Sequence, residues 1–325
     1  MKSSTHRVHF APGLPEASAF GLGTISWGTK TRGDELDRLY DAFREAGGNI
    51  FDSAHVYAFW LPDGLGASER AMGEIVRRRG DRANVILMTK GGHPHMDGGY
   101  ARGEHYLSPQ QIAADVRESL DRIGESAIDL YFLHRDDPRV PVGEIIDLLD
   151  EHVKAGRLRA IGASNWTTAR IAAANEYAAA NRRSPFVASQ PKFSLAVANP
   201  SNDPTVPTMR PADEAWHASS GLCVCAYSPT ANGFFATGGT KGASGWSNPT
   251  TTARLKAAER LASDLAVTAN QIALAWLLHR PFPVIPLLGT TNLEHLADAL
   301  GAARVKLSAA QNDALTSAGK SAASE

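Results

Sequence analysis

Four residues of this 325-residue chain have side chains whose chemistry interlocks: Asp52, Tyr57, Lys90 and His134. A free tyrosine hydroxyl ionises near pH ~10, too high for easy proton exchange at neutral pH. An ammonium beside it stabilises the phenolate and lowers that value. A lysine enclosed by protein needs a counter-charge, because an unpaired buried ammonium is costly, and Asp52 can supply it. His134 can donate a hydrogen bond to a carbonyl oxygen and fix its orientation. The set contains a proton donor and an electrophilic clamp but no nucleophile. It suits reduction of a carbonyl whose hydride comes from a bound cofactor.

For these four to meet, they must stand at one end of a common scaffold. Short apolar runs at Phe20–Ser26, Asn49–Ser53, Val85–Lys90, Ile128–His134, Arg159–Ser164, Phe186–Gln190, Cys223–Ser228 and Val284–Leu287 read as strands. Between them, apolar residues recur at three- and four-residue spacing, the period of an amphipathic helix. Such stretches occupy Leu36–Ala46, Ser68–Arg79, Pro109–Ile123, Val142–Ala155 and Thr168–Ala180. Further helices are expected at Ala212–Ser219, Thr252–Asp264, Ala269–His279, Leu293–Leu300 and Ser308–Ser317. Ser108 before Pro109, Thr268 three residues before Gln271, and Gly156 after Ala155 punctuate the ends. Eight strands alternating with helices predict a single (β/α)8 TIM barrel spanning 1–325, with a frayed tail at about 317–325; an open doubly wound sheet is the alternative. A barrel site lies at the C-terminal strand ends, where Asp52, Lys90 and His134 fall, with Tyr57 just beyond. The Pro/Gly/Ser-rich stretches Asn199–Pro211 and Ala231–Pro249 are too long for ordinary connections and read as functional rim loops.

Composition limits the function classes. The formal net charge is -1 and the hydrophobic content 43%, so no basic footprint points to nucleic acid and no charge excess to disorder. No apolar run spans a bilayer, and Met1–Phe10 lacks a signal-type core. Cys223 and Cys225 alternate onto one strand face, where two reduced buried thiols are expected, consistent with a cytoplasmic location. The glycines of Gly21-Leu22-Gly23 do not form a dinucleotide fingerprint, since Ser26 stands at the third position. His93 and His95, near Asp97 and His105, sit on an irregular loop without a third ligand at a strand end, so no metal is expected. Trp27, Phe59, Trp60 and Trp166 fall near top-face loops. They read equally as loop anchors or as an aromatic substrate wall.

The segment Asn49–Tyr57 with Ser68-Glu69, then Thr89-Lys90-Gly91-Gly92, Leu133-His134-Arg135-Asp136-Asp137-Pro138, Gly162-Ala163-Ser164-Asn165, Tyr227-Ser228-Pro229 and Ile285-Pro286-Leu287-Leu288-Gly289-Thr290 occur in that order. The whole series resembles the aldo-keto reductases. The resemblance implies Tyr57 as general acid, Lys90 and Asp52 as its tuners, and His134 as the group that orients the carbonyl. It implies that Ser164, Asn165 and Gln190 hold the nicotinamide carboxamide and that Tyr227 stacks on the ring. Ser228, Thr230 and Gly233 would follow the pyrophosphate, and Gly289, Thr290, Thr291, Asn292 and His295 the adenosine end. It further implies NADP(H), with NAD(H) also admitted, and a small-molecule carbonyl substrate, with no nucleic acid or membrane partner.

Two departures from the family pattern stand out. Residues Ala58 to Ala67 form a longer loop between Tyr57 and Ser68-Glu69, expected to reshape the substrate pocket. Thr291 and Asn292 stand where Lys or Arg is usual, which weakens the expected grip on a 2′-phosphate unless Lys241 or Arg254 folds over it. Two other functions share the fold: a regulatory cofactor-binding subunit of a membrane channel, and a metal-dependent barrel hydrolase.

Overall fold

The computed structural model describes residues 7–201, 203 and 205–319. Eight strands form its centre: β1 (Gly21–Gly23), β2 (Ile50–Asp52), β3 (Ile86–Gly91), β4 (Leu130–Leu133), β5 (Ile161–Ser164), β6 (Phe186–Gln190), β7 (Cys223–Ala226) and β8 (Val284–Leu288). They close in chain order into one all-parallel barrel, with Gly21 of β1 paired to Leu287 of β8. The helices are α1 (Asp34–Glu45), α2 (Ala67–Arg78), α3 (Pro109–Ile123), α4 (Val142–Lys154), α5 (Thr168–Asn181), α6 (Pro211–Ser220), α7 (Ala243–Trp246), α8 (Pro249–Leu265), α9 (Ala269–Leu278), α10 (Leu293–Gly301) and α11 (Ala309–Ser317). The expected barrel is therefore the observed one. Strands β1, β2, β4, β5 and β7 are shorter than their apolar runs, whereas β3, β6 and β8 match theirs to within a residue. The short helix α7 was not legible in the sequence. The part of the expected tail from residue 320 onward lies outside the described residues.

Alternation along each strand separates two cores. Outward residues such as Phe51, Leu87, Tyr131, Ile161, Val224 and Leu288 pack under the helices. Inward residues Ile50, Ile86, Met88, Leu130, Phe132, Ala188, Cys223, Cys225, Ile285 and Leu287 fill the lower barrel. Gly162 is required there: a Cβ would stand 2.5 Å from the Phe132 ring. Phe10 and Leu14 join the inner cluster and close the barrel floor, a plug that strand and helix periodicity does not reveal. The segment before β1 is tied to the start of β2, where Ser18 N donates to Asn49 Oδ1 at 2.8 Å and Asn49 Nδ2 to the Glu16 carbonyl at 2.8 Å. Both cysteines are free and buried. No single helix among the described residues is long and apolar enough to cross a membrane.

The expected caps form. Ser108 and Thr268 accept from the backbone of Gln111 and Gln271. Gly156, just past α4, has φ 74°, a conformation glycine adopts without strain.

Candidate active site

Following the same alternation upward, the inward series turns from apolar to polar. Ile50 is succeeded by Asp52, Met88 by Lys90, Phe132 by His134, Gly162 by Ser164, Ala188 by Gln190 and Cys225 by Tyr227. Each is two residues further on and therefore on the same face. The C-terminal mouth of the barrel thus inherits its polar ring from strand period alone.

Lys90 is at the centre and only 1% exposed. Its Nζ donates to Asp52 Oδ2 at 2.7 Å, to the Ser53 carbonyl at 2.5 Å and to the Tyr57 hydroxyl at 3.0 Å. Burial works against the ammonium, but Asp52 and Tyr57 outweigh it and hold Lys90 above its ordinary value. Lost hydration raises the Tyr57 hydroxyl; Lys90 opposes this, Asp52 adds to it, and the net shift is upward. The lysine therefore acts in the expected direction, but burial wins. Tyr57 remains a neutral phenol at neutral pH, the form able to give a proton. The His134 ring lies 6.2 Å from the Tyr57 ring, edge to face. Burial, then His93, Arg135 and Lys90, push its ionisation well below the ordinary histidine value, so it is uncharged. Its Nδ1 is buried without a hydrogen-bond partner among the described residues.

Gln190 has a role that the sequence reading missed. Its Nε2 donates to Asp52 Oδ1 at 3.0 Å, so the amide nitrogen steadies the carboxylate and leaves the amide oxygen for another partner. Asn165 donates to the His134 carbonyl and to Ser164 Oγ, both at 3.1 Å, while Tyr227 OH donates to Asn165 Oδ1 at 2.7 Å. Asn165 and Ser228 have φ 59° and 53°, left-handed positions uncommon outside glycine. These residues form one connected polar ring beside the tetrad. Their position at successive strand ends and the family resemblance pointed to these residues, but not to the hydrogen bonds that join them.

The residues expected at the adenosine end, Gly289 to Asn292 and His295, lie at the β8–α10 turn and the start of α10. Asn292 caps α10, accepting from His295 N at 3.0 Å, and Thr290 Oγ1 accepts from Asn292 N at 3.1 Å. The Asn292 oxygen is therefore engaged in the cap. Gly289 has open space where a Cβ would project. Thr230 and Gly233 follow β7, and the Lys241 side chain runs 3.8 Å from a Cβ built on Gly233. Arg254 does not reach this site: it is buried and donates to the carbonyls of Leu195 and Thr316, each at 2.7 Å. The left-handed Ser228, the uncrowded Gly289 and the nearby Lys241 fit a long phosphate-bearing cofactor running from β7 to β8.

The aromatic expectations divide. Phe59 and the 53%-exposed Trp60 pack edge to face at 5.3 Å on the loop after Tyr57, and Phe59 also meets Tyr100 at 6.0 Å. Trp27 and Trp166 require a correction. Trp27 is fully buried beside Phe51, and Trp166 is 5% exposed on Phe186. Both lie in the layer between barrel and helices, because the chain has already turned outward when it reaches them. They are anchors rather than a substrate wall. His93 instead faces the site, with its ring 4.8 Å from His134, and burial lowers its ionisation to about 4. His95 pairs with Asp97 at 3.2 Å on the exposed side. Among the described residues no group of three or more histidine, cysteine, aspartate or glutamate side chains could hold a metal ion.

A closed parallel barrel with an ammonium shared by a carboxylate and a phenol at its mouth defines a TIM-barrel oxidoreductase. The chain belongs to the Aldo/keto reductase family, whose pattern matches residues 19–320. It is 28% identical over 88% of its length to 87% of the uncharacterized oxidoreductase YrpG of Bacillus subtilis. It is 29% identical to the aldo-keto reductase yakc [NADP(+)] of Schizosaccharomyces pombe, covering 81% of this chain and 76% of that one. A 6-dehydroglucose reductase of Novosphingobium aromaticivorans is 27% identical, with 89% and 86% covered. The fold is also similar to the crystal structure of a thermostable aldo-keto reductase, Tm1743, with TM-score 0.71, 23% identity, and 96% and 99% covered. Members of this family act on small carbonyl compounds with nicotinamide cofactors.

Proposed function

We propose that this protein reduces the carbonyl group of a small aldehyde or ketone, sugar-like compounds included, with Tyr57 as general acid and NADPH as the preferred cofactor. The observation that carries the reading is the Lys90 ammonium, held within 3.0 Å of the Tyr57 hydroxyl and 2.7 Å of Asp52. The bound cofactor supplies the hydride. Tyr57 supplies the proton to the carbonyl oxygen, and Lys90 stabilises the phenolate left behind. Asp52, steadied by Gln190, keeps Lys90 charged and in place. Neutral His134, with Nδ1 buried and unpartnered, carries its N–H at Nε2 and offers it to the same oxygen. Asn165 fixes the backbone of His134, and Ser164, Asn165 and Tyr227 form the seat for the nicotinamide.

Tyr57→Phe tests the assignment. It removes the proton but not the ring, so kcat falls by about 10²–10⁴-fold, while cofactor affinity measured by fluorescence titration stays within a factor of two or so. Retention of more than half of kcat rejects Tyr57 as the acid. Cofactor choice is tested separately. Thr291 and Asn292 provide neutral contacts, each contributing about 0.5–1.5 kcal/mol, and Lys241 lies nearer the pyrophosphate path. NADPH is therefore favoured over NADH by roughly ten- to a hundredfold in kcat/KM, at about 1.4 kcal/mol per tenfold. A thousandfold preference would require a cationic clamp at the 2′-phosphate, and a preference for NADH would reject the reading.

A further inference from the structure

The run His134-Arg135-Asp136-Asp137 places three charged residues directly after the carbonyl-orienting histidine. Two are fully accounted for. Asp136 takes both arms of Arg170 at 2.9 and 3.0 Å, and Asp137 takes those of Arg139 at 2.9 Å each. Arg135 is different. Its side chain is only 14% exposed, yet its nearest carboxylate is Asp203, 3.9 Å away and 48% exposed on the β6–α6 loop. Nε donates to Thr205 Oγ1 at 3.1 Å and Nη1 to the His134 carbonyl at 3.0 Å. A guanidinium has five N–H groups; two are used, and Nη2 makes no hydrogen bond with any described residue. Both neutral hydrogen bonds orient the head without cancelling its charge.

The surroundings do not cancel it either. Tyr57, Tyr227, Tyr106, His93 and His134 lie within its electrostatic reach, and each is neutral at neutral pH. The nearby Lys90 already has Asp52 as its partner. The mouth beside Tyr57 therefore contains a dehydrated, oriented positive charge whose counter-ion among the described residues, Asp203, is 3.9 Å away and half exposed. Such a charge is costly unless an anion joins it, and the guanidinium fork matches carboxylate and phosphate oxygens.

We propose that Arg135 is a specificity-determining residue that receives an anionic group of the substrate, a carboxylate or phosphate ester, while the carbonyl meets Tyr57 and His134. This rests on the reductase reading above and narrows its substrate class to carbonyl compounds that carry an anion. Asp203 is then a weak resident counter-ion that the substrate displaces.

The test uses matched probes with the full chain: benzaldehyde against 3- and 4-carboxybenzaldehyde, and glyceraldehyde against glyceraldehyde 3-phosphate. The first comparison reads carboxylate recognition and the second phosphate recognition. In the wild type at least one anionic member is favoured by about tenfold or more in kcat/KM, the scale of a charge-assisted hydrogen bond. Arg135→Gln brings that ratio close to one, mainly through KM of the anionic member. Arg135→Lys keeps part of it, and Asp203→Asn raises it. Calorimetric binding of benzoate against benzyl alcohol, with and without NADP+, reads the same preference without turnover. Absence of any anion preference in the wild type, or an equal loss for charged and neutral probes in Arg135→Gln, overturns the proposal. No turnover of any probe, with benzoate binding still dependent on Arg135, keeps the anion site and rejects the reductase reading instead.

Discussion

Lys90 is the residue on which the site depends. Three acceptors surround its Nζ, and it is the group that most lowers the ionisation of Tyr57, against the larger effect of burial. Lys90→Met removes the main opposing influence and leaves burial and the Asp52 charge, both of which raise the value. The Tyr57 hydroxyl then ionises at a higher pH than in the wild type. The measurement is an ultraviolet tyrosinate titration of Lys90→Met and wild type, each corrected with its Tyr57→Phe counterpart. A midpoint that is unchanged or lower contradicts the coupling. The fall in kcat is also severe, because the phenolate formed on proton transfer loses its counter-charge in a poorly hydrated site. Asp52 needs no separate catalytic function in this account: its role is to keep a buried ammonium charged, and Gln190 holds it to that task.

At the scale of elements, Tyr57 is carried by the β2–α2 loop, and that loop is fastened to α3. His55 is fully buried; its Nδ1 meets Tyr100 OH at 3.0 Å and its Nε2 meets Glu118 at 2.8 Å. Arg122 donates to the His55 carbonyl at 3.2 Å, to Glu69 at 3.0 Å and to Glu118 at 3.1 Å. The hydrogen bond from His55, then its charge and those of Arg122 and Arg102, lower Glu118 to about 2 against the cost of burial. A carboxylate lowered in the folded state contributes stability that is present above its unfolded value, about 4.3, and lost as pH falls through its folded value. Wild type is therefore more stable than Glu118→Gln at pH 6, and the gap narrows steadily towards pH 3. Urea unfolding of both proteins across that range gives the difference. A gap independent of pH rejects the ionic tie. The side chain is 41% exposed, so solvent screening keeps the effect modest. The loop after Tyr57 is itself ordered by turns, with Leu61 N on the Ala58 carbonyl at 2.9 Å and Gly64 N on the Leu61 carbonyl at 3.0 Å. A Cβ on Gly64 would come 2.1 Å from the Ala58 carbonyl, so the glycine is what allows this compact path.

At the scale of the whole molecule, the barrel separates stability from chemistry. Its floor is apolar and plugged by Phe10, which is 4% exposed, while its mouth is polar. Phe10→Ala leaves a cavity at the floor and costs about 3 kcal/mol of stability. The tetrad stands at the opposite strand ends, so kcat at a temperature where the variant is folded stays within about twofold of wild type. Chemical denaturation and steady-state rates check the two halves separately. A large loss of kcat in a fully folded variant would mean that floor and mouth are coupled.

Closure of the strands into a barrel rather than an open sheet was decided by the tertiary structure; the sequence by itself indicated the strands, the helices between them and the candidate tetrad. Those follow from local rules: period-two alternation places Asp52, Lys90 and His134 inward and two residues above apolar neighbours, and turn chemistry at Ser108, Thr268 and Gly156 sets the helix ends. Tertiary structure alone decided what depends on the direction of a side chain after a strand has ended. It turned Trp27 and Trp166 into the helix layer and brought His93 against His134. It also buried Arg254 against the carbonyls of Leu195 and Thr316 and aimed the Gln190 amide at Asp52. It set the balance between burial and Lys90 at Tyr57, a competition between desolvation and charge that no spacing encodes. The Arg135 charge belongs with these, because its lack of a close carboxylate depends on where Arg139, Arg170 and Asp203 fall in space. Period and capping act over a few residues, whereas dehydration and charge pairing act between segments far apart in the chain.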